Sequence, residues 1–63
     1  MKFNDLIQKQ CSDKDLIIVR VRATKTEIKA PNISPYKKIF NSIASRVIID
    51  NWRDGENCVI VVI

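Results

Sequence analysis

The stretch from Ser34 to Gly55, SPYKKIFNSIASRVIIDNWRDG, constrains the fold more than any other in the chain. Its spacing predicts one long amphipathic helix with both ends marked. Ser34 is a residue type that caps helix N-termini, and Pro35 follows at the first helical position, where a missing N–H costs nothing. Gly55 sits where a helix ends in the left-handed conformation. Between them Tyr36, Ile39, Phe40, Ile43, Ala44 and Val47 recur at three- and four-residue steps, the apolar stripe of a helix lying on a core. The last turns conflict with that stripe. Ile49 and Trp52 fall on the polar side of the wheel, and Asp50 falls toward the apolar side. Either the helix runs to about Arg53, or Val47–Trp52 is a strand paired to Cys58–Ile63 through Asp54-Gly55, a hairpin signal. The count of helical matches from Tyr36 onward favours the helix.

The rest of the chain supplies strands for that helix to cover. Phe3, Leu6, Ile7 and Cys11 follow helical spacing and predict a short first helix over 3–11, held by packing because it is too short to stand alone. Ser12-Asp13-Lys14-Asp15 reads as a solvated turn. In Leu16–Val21, Ile17, Val19 and Val21 share one parity and Arg20 and Arg22 the other, with Leu16 and Ile18 on the basic side. The parity changes beyond Ala23, which predicts a tight hairpin near Ala23–Lys25 and a second strand over about 25–30; a single bent strand is the alternative. Ala30-Pro31-Asn32-Ile33 reads as a loop. Cys58–Ile63 is apolar on both parities and wants burial on both faces. The expected fold is therefore α/β (α+β), a two-layer sandwich in the order α-β-β-α-β. A three-stranded mixed sheet of order 2-1-3, with the third strand parallel to the second, would be covered on one face by the long helix.

A chain of 63 residues makes one domain, and so small a core is marginal without a disulfide, a metal or a second subunit. Two cysteines, Cys11 and Cys58, are too few for a disulfide scaffold or a zinc site, and there is no His to complete one. Both read as small buried hydrophobes rather than a redox pair. A second subunit is the supplement expected. No secretory leader is read at Met1-Lys2, and no apolar run approaches the length of a membrane span, so the expectation is a cytoplasmic protein without a membrane partner.

No enzyme is legible. There is no His for general base work and a single glycine, so no phosphate-cradling loop. No cofactor, metal or small-molecule substrate is expected. Arg20, Arg22, Lys25 and Lys29 form the best candidate for nucleic-acid contact, as basic groups on one sheet face, with Lys37 and Lys38 on the long helix as further candidates. The net charge of +4 suits that partner without specifying it. Ile49, Trp52, Val59, Val61 and Ile63 are the candidates for a protein interface, because they are apolar side chains the two-layer fold leaves uncovered. The expected function is a small non-enzymatic binding or regulatory protein acting on a protein partner as a homodimer, with a size that fits inhibitors encoded by mobile elements. The alternative is a nucleic-acid-binding regulator using the basic sheet face.

Overall fold

The computed structural model describes residues 1–63. Helix α1 spans Phe3–Gln10 and strands β1 and β2 span Leu16–Val21 and Thr26–Pro31. A 3-10 turn at Ser34–Tyr36 leads into a five-residue helix α2, Lys37–Asn41. Strands β3, Ile48–Asp54, and β4, Asn57–Val62, complete the chain. The four strands form one mixed sheet in the order β2-β1-β4-β3. Strands β1 and β2 are antiparallel, β1 and β4 parallel, and β3 and β4 antiparallel.

The long helix is not there. Helical geometry stops at Asn41, and Ile48–Asp54 pairs with β4 instead. The two-residue loop Gly55–Glu56 joins them, and Gly55 takes φ +64°, as hairpin loops with Gly in the first position do. The physical reason lies in the residues that break the wheel. Val47, Ile48 and Ile49 are β-branched, which favours the pleated surface, and Asp54-Gly55 supplies the hairpin turn that lets the segment pair with β4. Of the helical stripe only Phe40 and Ile43 are buried, whereas Tyr36, Ile39 and Val47 are exposed. The extra strand also changes the topology. The crossover through α2 delivers β3 in the direction of β2, and the hairpin then reverses β4 so that it runs parallel to β1. The expected three-stranded sheet, its order and the parallel relation of second and last strands are all replaced.

The turn between β1 and β2 forms without glycine, because Lys25 accepts φ +55°. Pro31 ends β2 opposite Leu16 rather than opening a loop, a position an outer strand tolerates.

Both helices cover one sheet face. Ile17, Val19 and Val21 of β1 and Cys58, Ile60 and Val62 of β4 meet Phe3 and Leu6 of α1 and Phe40 and Ile43 from the α2 region in a single core. The Phe3 and Phe40 rings stand 5.7 Å apart, tilted at 46°. The N-terminus is tied down by backbone bonds, from Phe3 N–H to the Arg46 carbonyl and from Ile48 N–H to the Met1 carbonyl, both 3.0 Å. No helix is long and apolar enough to cross a membrane.

Candidate functional site

The sheet face opposite the helices is uncovered. Its side chains follow from the register: Lys29, Ile18, Val59 and Trp52 lie in one row, Glu27, Arg20, Val61 and Asp50 in the next, and Pro31, Leu16, Asn57 and Asp54 in the third. The two central strands present Leu16, Ile18, Val59 and Val61 with Arg20 and Asn57 among them, and the outer strands carry charges on both sides. Trp52 is 43% exposed, while Val59 beneath it is only 7% exposed, shielded by its sheet neighbours. The Arg20 guanidinium carbon lies 5.8 Å from the centroid of the Trp52 ring, within cation–π reach, and its Nε is 3.8 Å from Glu27 Oε1.

Interface candidates fare differently here. Strand β4 is flanked by β1 and β3, so the expectation that the last strand is a sheet edge is overturned; the edges are β2 and β3. Val59, Val61 and Trp52 come together on the uncovered face. Ile49 stands apart, exposed at a register shift between Ile48 and Asp50 that marks a β-bulge. Ile63 is exposed beyond the end of β4, where its carbonyl accepts a 2.6 Å bond from Arg46 Nη1.

The basic candidates are dispersed. Arg20 and Lys29 lie on the uncovered face, Arg22 and Lys25 in the β1–β2 turn, and Lys37 and Lys38 on α2 in the other layer. Asp50 and Asp54 join Glu27 on the uncovered face, so that face carries three carboxylates against two cations. The helical spacing of 34–53 hides the strand β3 that supplies them, which is why the sequence suggests a basic face.

A second constellation lies at the other layer, where α1 ends and β4 begins. Asp15, expected in a solvated turn, is 6% exposed. Arg53 donates to it through Nη1 to Oδ1 at 2.9 Å and Nη2 to Oδ2 at 3.1 Å, and the Ser12 backbone N–H donates to Oδ2 at 2.9 Å. Arg53 Nη2 also reaches the Gln10 carbonyl at 3.0 Å, tying β3 to the end of α1. The Cys11 and Cys58 sulfurs are 3.5 Å apart, and Cys58 Sγ is 3.7 Å from Asp15 Oδ2. Burial, then the neighbouring Cys58 thiol, push the Cys11 thiol up to about 12, so it is protonated at neutral pH. Nothing in sequence spacing links residues 11, 15, 53 and 58; the Arg53–Cys58 register of the hairpin, the parallel Ile17–Cys58 pairing that sets Asp15 beside β4, and the end of α1 bring them together.

The Arg53 guanidinium, followed by the Ser12 N–H, holds the Asp15 carboxyl down to about 2. A carboxyl depressed in the folded state stabilises the fold above its unfolded value of about 3.9, and that contribution fades as pH falls through the folded value. Wild type is therefore expected to lose stability between about pH 4 and pH 2 more steeply than Asp15→Asn, measured by urea unfolding at each pH. Parallel curves would remove Asp15 from the acid response.

Comparison of the chain with protein-family models, with curated proteins and with solved structures finds no match.

Proposed function

We propose that the protein is a small non-enzymatic binding protein, regulatory in kind, whose contact surface is the uncovered sheet face and whose occupant there is a second copy of the chain. The observation that supports this reading is the anatomy of the face. An apolar centre of Ile18, Val59, Val61 and Trp52 is rimmed by charges of both signs, as at protein interfaces. The cations Arg20 and Lys29 belong to β1 and β2, with Glu27 beside Arg20, and the carboxylates Asp50 and Asp54 to β3 at the opposite edge. A two-fold axis running along the strands lays the acidic β3 side of each copy on the β2 side of the other, where Lys29 stands. The outer strands carry charges, a proline and a bulge, which disfavour edge pairing and leave face stacking as the mode of association.

Sedimentation equilibrium at micromolar concentration is expected to give twice the monomer mass. Val61→Lys, which puts a cation at the centre of the face, is expected to give monomer with an unchanged far-UV spectrum. A wild type that stays monomeric to high concentration sinks the proposal.

A second reading rests on the end of the β1–β2 hairpin, where Arg20, Arg22 and Lys25 line one concavity with Glu27. That arrangement suits a phosphate backbone, and nucleic-acid binding there would weaken steeply with added salt. Stacked apolar faces weaken far less, since salt screens only their charged rim, so repeating the association measurements across salt concentrations, with and without a duplex or single-stranded probe, separates the two. Loss of probe binding in an Arg20→Ala, Arg22→Ala double variant would favour the second reading.

A further inference from the structure

We propose that Cys11, Asp15 and Cys58 form a binding site for one borderline-soft divalent cation, zinc in the first instance, with the fourth coordination position open to water. The three donor atoms come from three separate elements: the residue after α1, the residue before β1 and the second residue of β4. They all lie within 4.8 Å of one another. Zinc–sulfur bonds of about 2.3 Å and zinc–oxygen bonds of about 2.0–2.2 Å at tetrahedral angles require sulfur–sulfur edges of about 3.8 Å and sulfur–oxygen edges of about 3.5 Å. The corresponding separations are 3.5 Å and 3.7 Å. Two of the three edges thus stand within a few tenths of an ångström of the spacing the ion demands, and the third, Cys11 Sγ to the Asp15 carboxylate, lies within 4.8 Å and closes as the ion binds.

The hydrogen bonding among them points the same way. The Cys11 thiol is directed at Cys58 Sγ, and the Cys58 thiol at Asp15 Oδ2. Two protons therefore occupy the space between three donors, and one divalent ion replaces both. The exchange balances: the cation binds two thiols and one carboxylate, and two protons leave to solvent. Asp15 contributes none, since it is already ionised.

The surroundings fit an ion of this charge. Two thiolates and one carboxylate carry three negative charges, which the divalent ion and Arg53 neutralise together. Arg53 holds both Asp15 oxygens, Nη1 to Oδ1 and Nη2 to Oδ2, and the Ser12 N–H donates to Oδ2. The ion therefore takes on Oδ2 the place now held by the Cys58 thiol, with Arg53 and Ser12 as the outer groups that orient the carboxylate. Sulfur donors select zinc, cadmium or copper(I) over magnesium and calcium. A slot that opens onto Cys11 and Cys58, lined by Gln10, Asn51 and Arg53 together with the apolar Leu6, Val59 and Ile60, gives the ion its entry and a place for the fourth, water ligand. The sequence conceals the site because Asp15 stands in for the histidine that zinc motifs ordinarily supply.

The test is titration of the whole chain, kept reduced with a phosphine, with Co(II) and then Zn(II). The expected result is one Co(II) per chain with a sulfur-to-metal charge-transfer band and the visible bands of tetrahedral cobalt, displaced by an equivalent of zinc. Calorimetry in buffers of different ionisation enthalpy should report two protons released per ion. Affinity should fall about 100-fold per pH unit below the thiol range, as two-proton linkage dictates. Zinc should also raise the melting temperature. Cys11 is only half-buried, so Cys11→Ser should fold and lose about half of the charge-transfer intensity, one of two thiolates being gone, and at least tenfold in affinity. Asp15→Asn should bind more weakly with the same proton count. Folded, reduced wild type that shows no saturable cobalt band and no zinc-dependent melting shift overturns the site. So does undiminished binding by Cys11→Ser, and undiminished binding by Asp15→Asn removes the carboxylate from it.

Discussion

Replacing Phe3 by Ala is expected to leave the chain largely unfolded at room temperature. Phe3 is 1% exposed, the largest of the fully buried side chains, and it meets Phe40 and the inner face of the sheet. Truncating a buried phenylalanine costs about 3–5 kcal/mol through lost burial and the cavity left behind. A domain of this size has a total stability of roughly 3–9 kcal/mol at ordinary values per residue. The loss is therefore comparable to the whole. Phe40→Ala should behave similarly, whereas Ile39→Ala, one residue away and 40% exposed, should melt close to wild type. Circular dichroism melts of the three variants check this directly. A Phe3 variant melting within a few degrees of wild type would mean that α1 does not hold the core.

The second large effect concerns association. If two copies stack through the uncovered sheet face, Trp52 enters the interface twice. Tryptophans at the centre of interfaces commonly cost about 2 kcal/mol or more when truncated. Symmetry doubles that to roughly 4 kcal/mol, about a 1,000-fold rise in the dimer dissociation constant. Trp52→Ala should therefore be monomeric at concentrations where wild type is dimeric. Its melting temperature, extrapolated to high dilution, should stay near that of wild type, because Trp52 is 43% exposed within one copy. Sedimentation velocity over a dilution series reads the constant. A shift of less than tenfold would place Trp52 outside the contact and move the interface elsewhere.

The legible parts of the fold are those with clean local periodicity. The first helix, the strand Leu16–Val21 and the hairpin that follows it are marked by the spacing of Phe3 and Leu6 and by the parity change after Ala23. The region 34–55 misleads because its first half is helical in period. Phe40 and Ile43 do face the core, and extending their register through Val47 costs nothing in pattern until Ile49, Asp50 and Trp52 contradict it. Asp54-Gly55 carries the correct hairpin signal and is outvoted by the count of helical matches. The candidate sites inherit that error. Once β3 is a strand, Asp50, Trp52 and Asp54 move onto the sheet face, turning an expected basic surface into an apolar one with mixed charges. The Cys11–Asp15–Arg53–Cys58 cluster was beyond reach for a different reason. It depends on pairings between residues as far as 47 positions apart, for which the sequence has no local marker.

The parallel pairing of β1 with β4 has a consequence in time as well as in space. Ile17 and Cys58 are partners in that ladder and stand 41 positions apart (58 minus 17). Loops of such length must close before the pairing contributes anything, so folding waits on a distant encounter rather than on local steps. The two hairpins can zip early and independently, but neither has its other half of the core. On the ribosome, where the chain emerges from the N-terminus, residues 1–47 have no stable structure to adopt until Cys58–Val62 has cleared the exit tunnel. The whole domain then forms in a single late event, and until that moment the apolar strand Leu16–Val21 has no strand beside it but its own hairpin partner Thr26–Pro31.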